Sequence, residues 1–201
     1  MRMKDIVPGD DTFFARLAEI YEKMDETYDA VAGQYGFGCA GCTDNCCKTR
    51  FYNHTYIEYL YLMDGIDALP SDQRDAVGHQ AIETCSAIKT AEERGETPRV
   101  LCPLNVDGLC DMHGRRLMIC RLHGIPYEIH RPGSEPFFGQ GCAIFDERCA
   151  GMDYIPFDRT PFYRDMAQLE QDLRENAGLT GKFKMTIAEM IVHGLKTDAA
   201  G

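Results

Sequence analysis

Four of the ten cysteines in this chain of 201 residues lie within nine positions, in the segment Cys39-Ala-Gly-Cys42-Thr-Asp-Asn-Cys46-Cys47. A group of sulfurs this dense constrains the local fold, because the sulfurs must form bonds. The candidates are disulfides, bonds to metal ions and bonds to an iron–sulfur cluster. The two-residue spacing between Cys39 and Cys42 suits a tight turn that directs both sulfurs toward one tetrahedral ion. The adjacent Cys46 and Cys47 side chains diverge, so they favour two neighbouring sites or a cluster with several metal atoms.

Four more cysteines follow in a region that lacks helical periodicity, and a fifth, Cys149, lies just beyond it. From Arg99 to about Phe145, short apolar pieces alternate with Gly and Pro, which indicates loops and short strands organised around the sulfurs. Together with the first group, these give nine candidate metal ligands: Cys39, Cys42, Cys46, Cys47, Cys102, Cys110, Cys120, Cys142 and Cys149. The tenth cysteine, Cys85, lies on the apolar stripe of a predicted helix, where we expect it to pack as a small hydrophobe.

Amphipathic periodicity predicts helices on both sides of this region. The first covers residues 12–31 and ends at Gly33 and Gly36, and two more cover 55–68 and 70–94. A further helix covers 160–176, and the last opens with a capping box at Thr186 and Glu189. We therefore predict a single, mainly α domain over residues 1–201. Its irregular, cysteine-rich centre, residues 39–149, contains short strands and loops, and flanking helices over 12–32 and 160–195 pack around a metal-binding core.

Net charge and composition restrict the cellular compartment and the classes of partner that we expect for this protein. The formal net charge of −11 argues against a broad nucleic-acid surface, which requires a basic domain. The N-terminus has no apolar core of a signal peptide, and no apolar stretch approaches the ~20 residues that span a bilayer. We therefore predict a cytoplasmic protein without a membrane partner. In a reducing compartment, dense cysteines more often bind metal than form disulfides.

Positive side chains flank the cysteines and fit a role in offsetting thiolate charge. They are Lys48, Arg50, Arg115, Arg116 and Arg121. Three histidines are alternative ligands, namely His54, His113 and His123, and His113 lies three residues from Cys110.

The order and spacing of the cysteines resemble the YkgJ-type cysteine-cluster family, described as a zinc- or iron-chelating domain. The likeness lies in the Cys-x2-Cys-x3-Cys-Cys cluster, the Cys102-Pro-Leu segment, and Cys110-Asp-Met-His-Gly-Arg-Arg116-Leu-Met-Ile-Cys120-Arg121. This chain departs from the family pattern at His113, where Tyr is usual, and at Leu117, where Pro is usual. The resemblance covers residues 39–121 and extends to the Cys149-Ala-Gly element.

The resemblance implies a metal-binding function. The eight family cysteines correspond to Cys39, Cys42, Cys46, Cys47, Cys102, Cys110, Cys120 and Cys149, with Cys142 as a spare or substitute. They would hold two zinc ions or an iron–sulfur cluster, possibilities that the spacing leaves open. A relative, the flagellin lysine methylase, is linked to an iron–sulfur cluster. The alternative is therefore an iron–sulfur enzyme that performs redox chemistry or protein modification.

Overall fold

The computed structural model describes residues 12–38, 42 and 46–198 and is mainly helical. Seven α-helices lie in this part of the chain: Thr12–Gln34 (α1), Tyr56–Asp67 (α2), Ser71–Glu93 (α3), Met118–Leu122 (α4), Ala143–Arg148 (α5), Thr160–Ala177 (α6) and Ile187–Asp198 (α7). Four short strands form two antiparallel hairpins: Asn105–Val106 (β1) with Leu109–Cys110 (β2), and Tyr127–Ile129 (β3) with Phe137–Gly139 (β4). Single 3-10 turns cover Cys46–Lys48 and His113–Arg115. None of the described helices is long and apolar enough to cross a membrane.

The described residues group into two compact units. The first unit contains Cys47–Leu117 and the chain from Leu173 onward, and the second contains the described residues of 12–46 together with Met118–Asp172. Helix α6 therefore begins in the second unit and ends in the first. The single domain remains a prediction.

In the first unit, α2 is the most deeply buried helix, and α7 contacts both α2 and α3. Two glycines allow this close packing, since a Cβ at Gly194 would meet the Met63 side chain and one at Gly78 would lie 2.8 Å from Leu195 Cδ1. Asn53 and Met185 exchange backbone hydrogen bonds of 2.8 and 3.1 Å, which join the segment before α2 to the segment before α7.

In the second unit, α1 contacts the short α4. The buried Arg159 connects the end of α4 to the segment that follows it. Its guanidinium donates hydrogen bonds to the carbonyls of Leu122 and Ile125 and lies 3.6 Å from the centre of the Tyr127 ring. Burial lowers the Arg159 pKa to about 10, which still leaves the side chain charged at neutral pH. One side chain thus satisfies buried carbonyls that no regular secondary structure covers.

The helices predicted over 12–31, 55–68, 70–94 and 160–176 are confirmed, and their ends agree within three residues. Gly36 has a φ of +61° just beyond the end of α1, whereas Gly33 lies inside the helix. The apolar stripe predicted for α3, namely Val77, Ala81, Cys85 and Ile88, was wrong in part. Ala81 is buried, whereas the other three residues are half-buried. The buried residues of the helix are Gly78, Ala81 and Thr84.

The region 99–145 was predicted to hold only loops and short strands, and this is wrong at two places. Helix α4 has five residues and α5, which starts at Ala143, has six. Helices this short contain fewer than two turns, so they carry no detectable apolar period. The remainder of the region holds the two hairpins and a 3-10 turn, as expected.

The predicted capping box at the start of α7 is confirmed, and it provides a test of helix stability. Thr186 N donates to Glu189 Oε2 at 2.7 Å, and Glu189 N donates to Thr186 Oγ1 at 3.2 Å. We expect Thr186→Ala to lower the free energy of unfolding by about 1 kcal/mol, because the N–H of Glu189 loses its acceptor. Urea denaturation followed by circular dichroism measures this change.

Thr90→Ala is the matched control, since Thr90 lies inside α3, is exposed, and donates only to the Ser86 carbonyl of its own helix. Alanine has the higher helix propensity, so this variant should be at least as stable as the wild type. Equal destabilisation by the two changes would contradict the capping role of Thr186.

Candidate metal centre

The β1–β2 hairpin of the first unit contains the predicted ligand Cys110, and a second predicted ligand, Cys102, lies just before it. Asp107 and Gly108 form its two-residue turn, with φ values of +50° and +88°. Positive φ at both positions is typical of the turn that joins tightly paired antiparallel strands, and Asp-Gly is a preferred sequence for it. The register pairs Asn105 with Cys110, and Cys102 lies three residues before β1. This turn therefore determines the face of the hairpin on which Cys110 lies.

Backbone groups two residues downstream favour the ionised form of both of these cysteines. A backbone hydrogen bond from Leu104 lowers the pKa of Cys102, and one from Met112 lowers the pKa of Cys110. The two cysteines thus share the same local arrangement. Such N–H donors stabilise the thiolate, which is the form of cysteine that binds a metal.

Cys47 lies close enough to these two cysteines to affect both electrostatically. Its backbone carbonyl accepts a hydrogen bond of 2.9 Å from the N–H of Cys102. A negative charge on the Cys47 sulfur raises the pKa of both Cys102 and Cys110. Cys47 is distant in sequence from Cys102 and Cys110, and the first unit brings the three residues together. We call them the three-cysteine set.

Burial opposes ionisation of this set. The pKa of Cys102 is raised from 9.0 to about 12, chiefly by burial, and burial is also the largest cause of the raised pKa of Cys110. At neutral pH, both side chains are therefore thiols in the metal-free protein. A bound cation would reverse this balance, since coordination deprotonates a thiol outright.

Among the predicted flanking cations, Arg116 acts on the set, because its charge lowers the pKa of Cys110. The other three arginines form ion pairs with carboxylates: Arg50 with Glu92, Arg115 with Asp64 at 2.9 Å, and Arg121 with Asp25. Lys48 is exposed. The structure thus places Arg116 in an electrostatic interaction with a predicted ligand.

The second unit contains the remaining predicted ligands that the structure describes. Cys120 lies within α4, Cys142 directly precedes α5, and Cys149 directly follows it. The N–H of Cys142 donates to the Gly124 carbonyl at 2.9 Å. Cys149 is buried, and its thiol donates to the Tyr35 carbonyl at 3.9 Å. Cys42 is half-buried and Cys46 is exposed.

Adjacent cysteines fall in different units, since Cys46 belongs to the second and Cys47 to the first. Cys39 lies outside the described residues. Within the described part of the chain, no group of three or more Cys, His, Asp or Glu side chains has the arrangement of a metal-ion site. The three-cysteine set is therefore a collection of donors, whose final arrangement would depend on the bound ion.

The three alternative histidines differ in their surroundings. His54 and His113 are exposed. His123 is half-buried, and burial together with the charge of Arg159 lowers its pKa, so it is neutral at pH 7. Its backbone carbonyl accepts a 2.9 Å hydrogen bond from Tyr28.

Sequence reasoning missed Asn105, which is 8% exposed. Its Oδ1 accepts a hydrogen bond of 3.1 Å from the N–H of Gly108, whereas its Nδ2 is buried with no hydrogen-bond partner within the described structure. The Asp107-Gly108 pair was the available signal, because an Asp-Gly turn predicts the hairpin and hence the pairing of residues 105 and 110.

No family model, curated protein or solved structure matches this chain.

The different roles predicted for Cys47, a metal ligand, and Cys85, a packing residue, lead to a test. We expect Cys47→Ala to remove a substantial share of the bound metal, because it deletes one sulfur of the three-cysteine set. Cys85 lies on α3, where burial is the largest cause of its raised pKa, so Cys85→Ala should leave the metal content unchanged. Elemental analysis of both purified variants measures this difference. Equal loss of metal in the two variants would show that this division of the cysteines is wrong.

Proposed function

We propose that this chain binds zinc or iron through cysteine thiolates, either as zinc ions or as an iron–sulfur cluster. The observation that carries the proposal is the three-cysteine set, in which Cys47, Cys102 and Cys110 interact electrostatically within one compact unit. Both metals favour thiolate ligands, and both forms of site use about four of them. The set supplies three of those donors.

The surroundings of the set support an anionic site. Three thiolates and one divalent ion carry a formal net charge of about −1, which nearby donors and cations must offset. The N–H groups of Leu104 and Met112 and the charge of Arg116 provide that compensation. A structural disulfide would require none of them.

The remaining predicted ligands support a second group of thiolates. In the second unit, Cys120, Cys142 and Cys149 lie in or next to the short helices α4 and α5. A second zinc ion or a cluster would use these together with the cysteines of the first cluster that the structure describes in that unit, namely Cys42 and Cys46. Cys39 remains a predicted ligand outside the described residues. The separation of Cys46 from Cys47 agrees with the expectation that adjacent cysteines serve two sites.

We also propose that the chain belongs to the YkgJ-type cysteine-cluster family and acts in the cytoplasm without nucleic-acid or membrane partners. The support is the order and spacing of the cysteines over 39–121, together with the segment 110–121, in which Cys110, Arg116, Cys120 and Arg121 coincide with the family pattern without insertion. The enzymatic alternative uses the same thiolates, so identification of the metal precedes any test of a reaction.

Anaerobic purification, followed by elemental analysis, sulfide determination and a visible spectrum, tests the proposal. A colourless protein with zinc in near-integer amounts would establish the zinc form, because zinc has no d–d absorption. A brown protein with iron and acid-labile sulfide would establish the cluster. Protein that contains neither metal, and that takes up neither zinc nor iron with sulfide after reduction of its thiols, would contradict the proposed function.

A further inference from the structure

The β1–β2 hairpin contains a buried donor that the described structure leaves unsatisfied. Asn105 is more than nine-tenths buried, and its Nδ2 has no hydrogen-bond partner among the described residues. A buried amide group without a partner costs about 1–3 kcal/mol, and native structures rarely contain one without a reason. An acceptor for this N–H group has to lie within reach of the Asn105 side chain.

The register of the hairpin places that side chain beside a predicted ligand. Asn105 is paired directly with Cys110, and its N–H donates to the Cys102 carbonyl instead of across the strands. The next pair outward is joined by a 2.9 Å bond from Asp111 N to the Leu104 carbonyl. This pattern marks Asn105 and Cys110 as a non-hydrogen-bonded pair, in which opposite Cα atoms are about 4.5 Å apart and side chains are closest. Both side chains lie on the same face of the hairpin.

The turn also determines which end of the Asn105 amide is available. Its Oδ1 accepts the N–H of Gly108, so this oxygen faces the turn and Nδ2 is the end that lacks a partner. Within the three-cysteine set, the donors already described are backbone groups. A side-chain donor next to Cys110 would add one more hydrogen bond to a metal-bound sulfur.

We infer that Asn105 is a positioning residue of the metal site, whose Nδ2 donates a hydrogen bond to the thiolate sulfur of Cys110 when a metal is bound. The inference rests on the proposed function, because a metal-bound thiolate accepts such a bond far better than a thiol does. Hydrogen bonds to ligand sulfurs orient the ligands, tune the metal, and contribute about 10–100-fold to metal affinity. Asn105 thereby links the geometry of the turn to the chemistry of the site.

Replacing Asn105 by aspartate separates the acceptor role of its side chain from its donor role. Asn105→Asp keeps an oxygen for the Gly108 N–H and removes the N–H donor. We expect Co²⁺, titrated anaerobically as a probe, to bind about 10–100-fold more weakly to this variant. The thiolate-to-cobalt charge-transfer band should move to longer wavelength, because the sulfur loses a stabilising hydrogen bond. A purely structural role for Asn105 would weaken binding without moving the band.

A control variant isolates the donor. Val106→Asp adds the same negative charge at the adjacent, exposed position, which points to the opposite face of the hairpin, and should leave affinity and band unchanged. If Asn105→Asp leaves both affinity and band at their wild-type values, or if Val106→Asp has the same effects, the inference is wrong.

A measurement on the unmodified chain avoids any dependence on variant folding. In a sample loaded with ¹¹³Cd²⁺ and labelled with ¹⁵N, a hydrogen bond to a ligand sulfur transmits scalar coupling between cadmium and the donor proton. We expect such coupling at the Asn105 side-chain amide and at the Leu104 and Met112 backbone amides. Coupling at the backbone amides alone would overturn the role of Asn105 and leave the proposed function standing. A wild-type chain that binds neither Co²⁺ nor Cd²⁺ would overturn both.

Discussion

The two-residue turn of the β1–β2 hairpin is the constraint on which the proposed site depends. Asp107 and Gly108 both have positive φ, and this conformation establishes the register that pairs Asn105 with Cys110. A slip of one residue would turn the Cys110 side chain to the opposite face of the hairpin. At the base of the hairpin, the N–H of Cys102 donates to the Cys47 carbonyl. The hairpin thus relates Cys102 to Cys110, and this tertiary hydrogen bond adds Cys47, which is more than fifty residues away in sequence.

Burial and ionisation oppose each other at these sulfurs. The low-dielectric surroundings that raise the pKa of Cys102 to about 12 stabilise the thiol and disfavour the thiolate. The N–H donors and Arg116 act in the other direction, and a cation would shift the balance fully. Under the proposed function, such a site would hold thiols without metal and thiolates with it. This is the physical basis on which metal binding would be coupled to proton release.

The two units show how far sequence reasoning extends. Long helices such as α1 and α6 were predictable, because apolar residues such as Leu17 and Leu169 recur at helical spacing over four or more turns. The predicted apolar stripe of α3 differs from the observed buried positions. These positions include Gly78 and Thr84, which an apolar pattern does not detect. The strands β1 and β2 have two residues each, so no alternation could reveal them, although the Asp-Gly pair signalled the turn.

The candidate ligands were predictable as a set but not as a spatial grouping. Spacing along the chain identifies cysteines without stating which of them meet, because that depends on tertiary contacts between segments distant in sequence. The structure brings Cys47, Cys102 and Cys110 into one unit and places Cys149 in a buried position where its thiol donates to a backbone carbonyl. Asn105 was not predictable from its own identity, since its importance arises from the register of the hairpin.

X-ray absorption at the metal edge of the purified protein tests the central claim most directly, because it reports the atoms that surround the metal. We predict a first shell dominated by sulfur, at about 2.3 Å for zinc, with a smaller sulfur contribution in the Cys110→Ser variant. For iron, bridging sulfide and a second shell of iron atoms would accompany the thiolates. A first shell of only nitrogen and oxygen atoms, or a sulfur shell that the Cys110→Ser change leaves intact, would contradict the account.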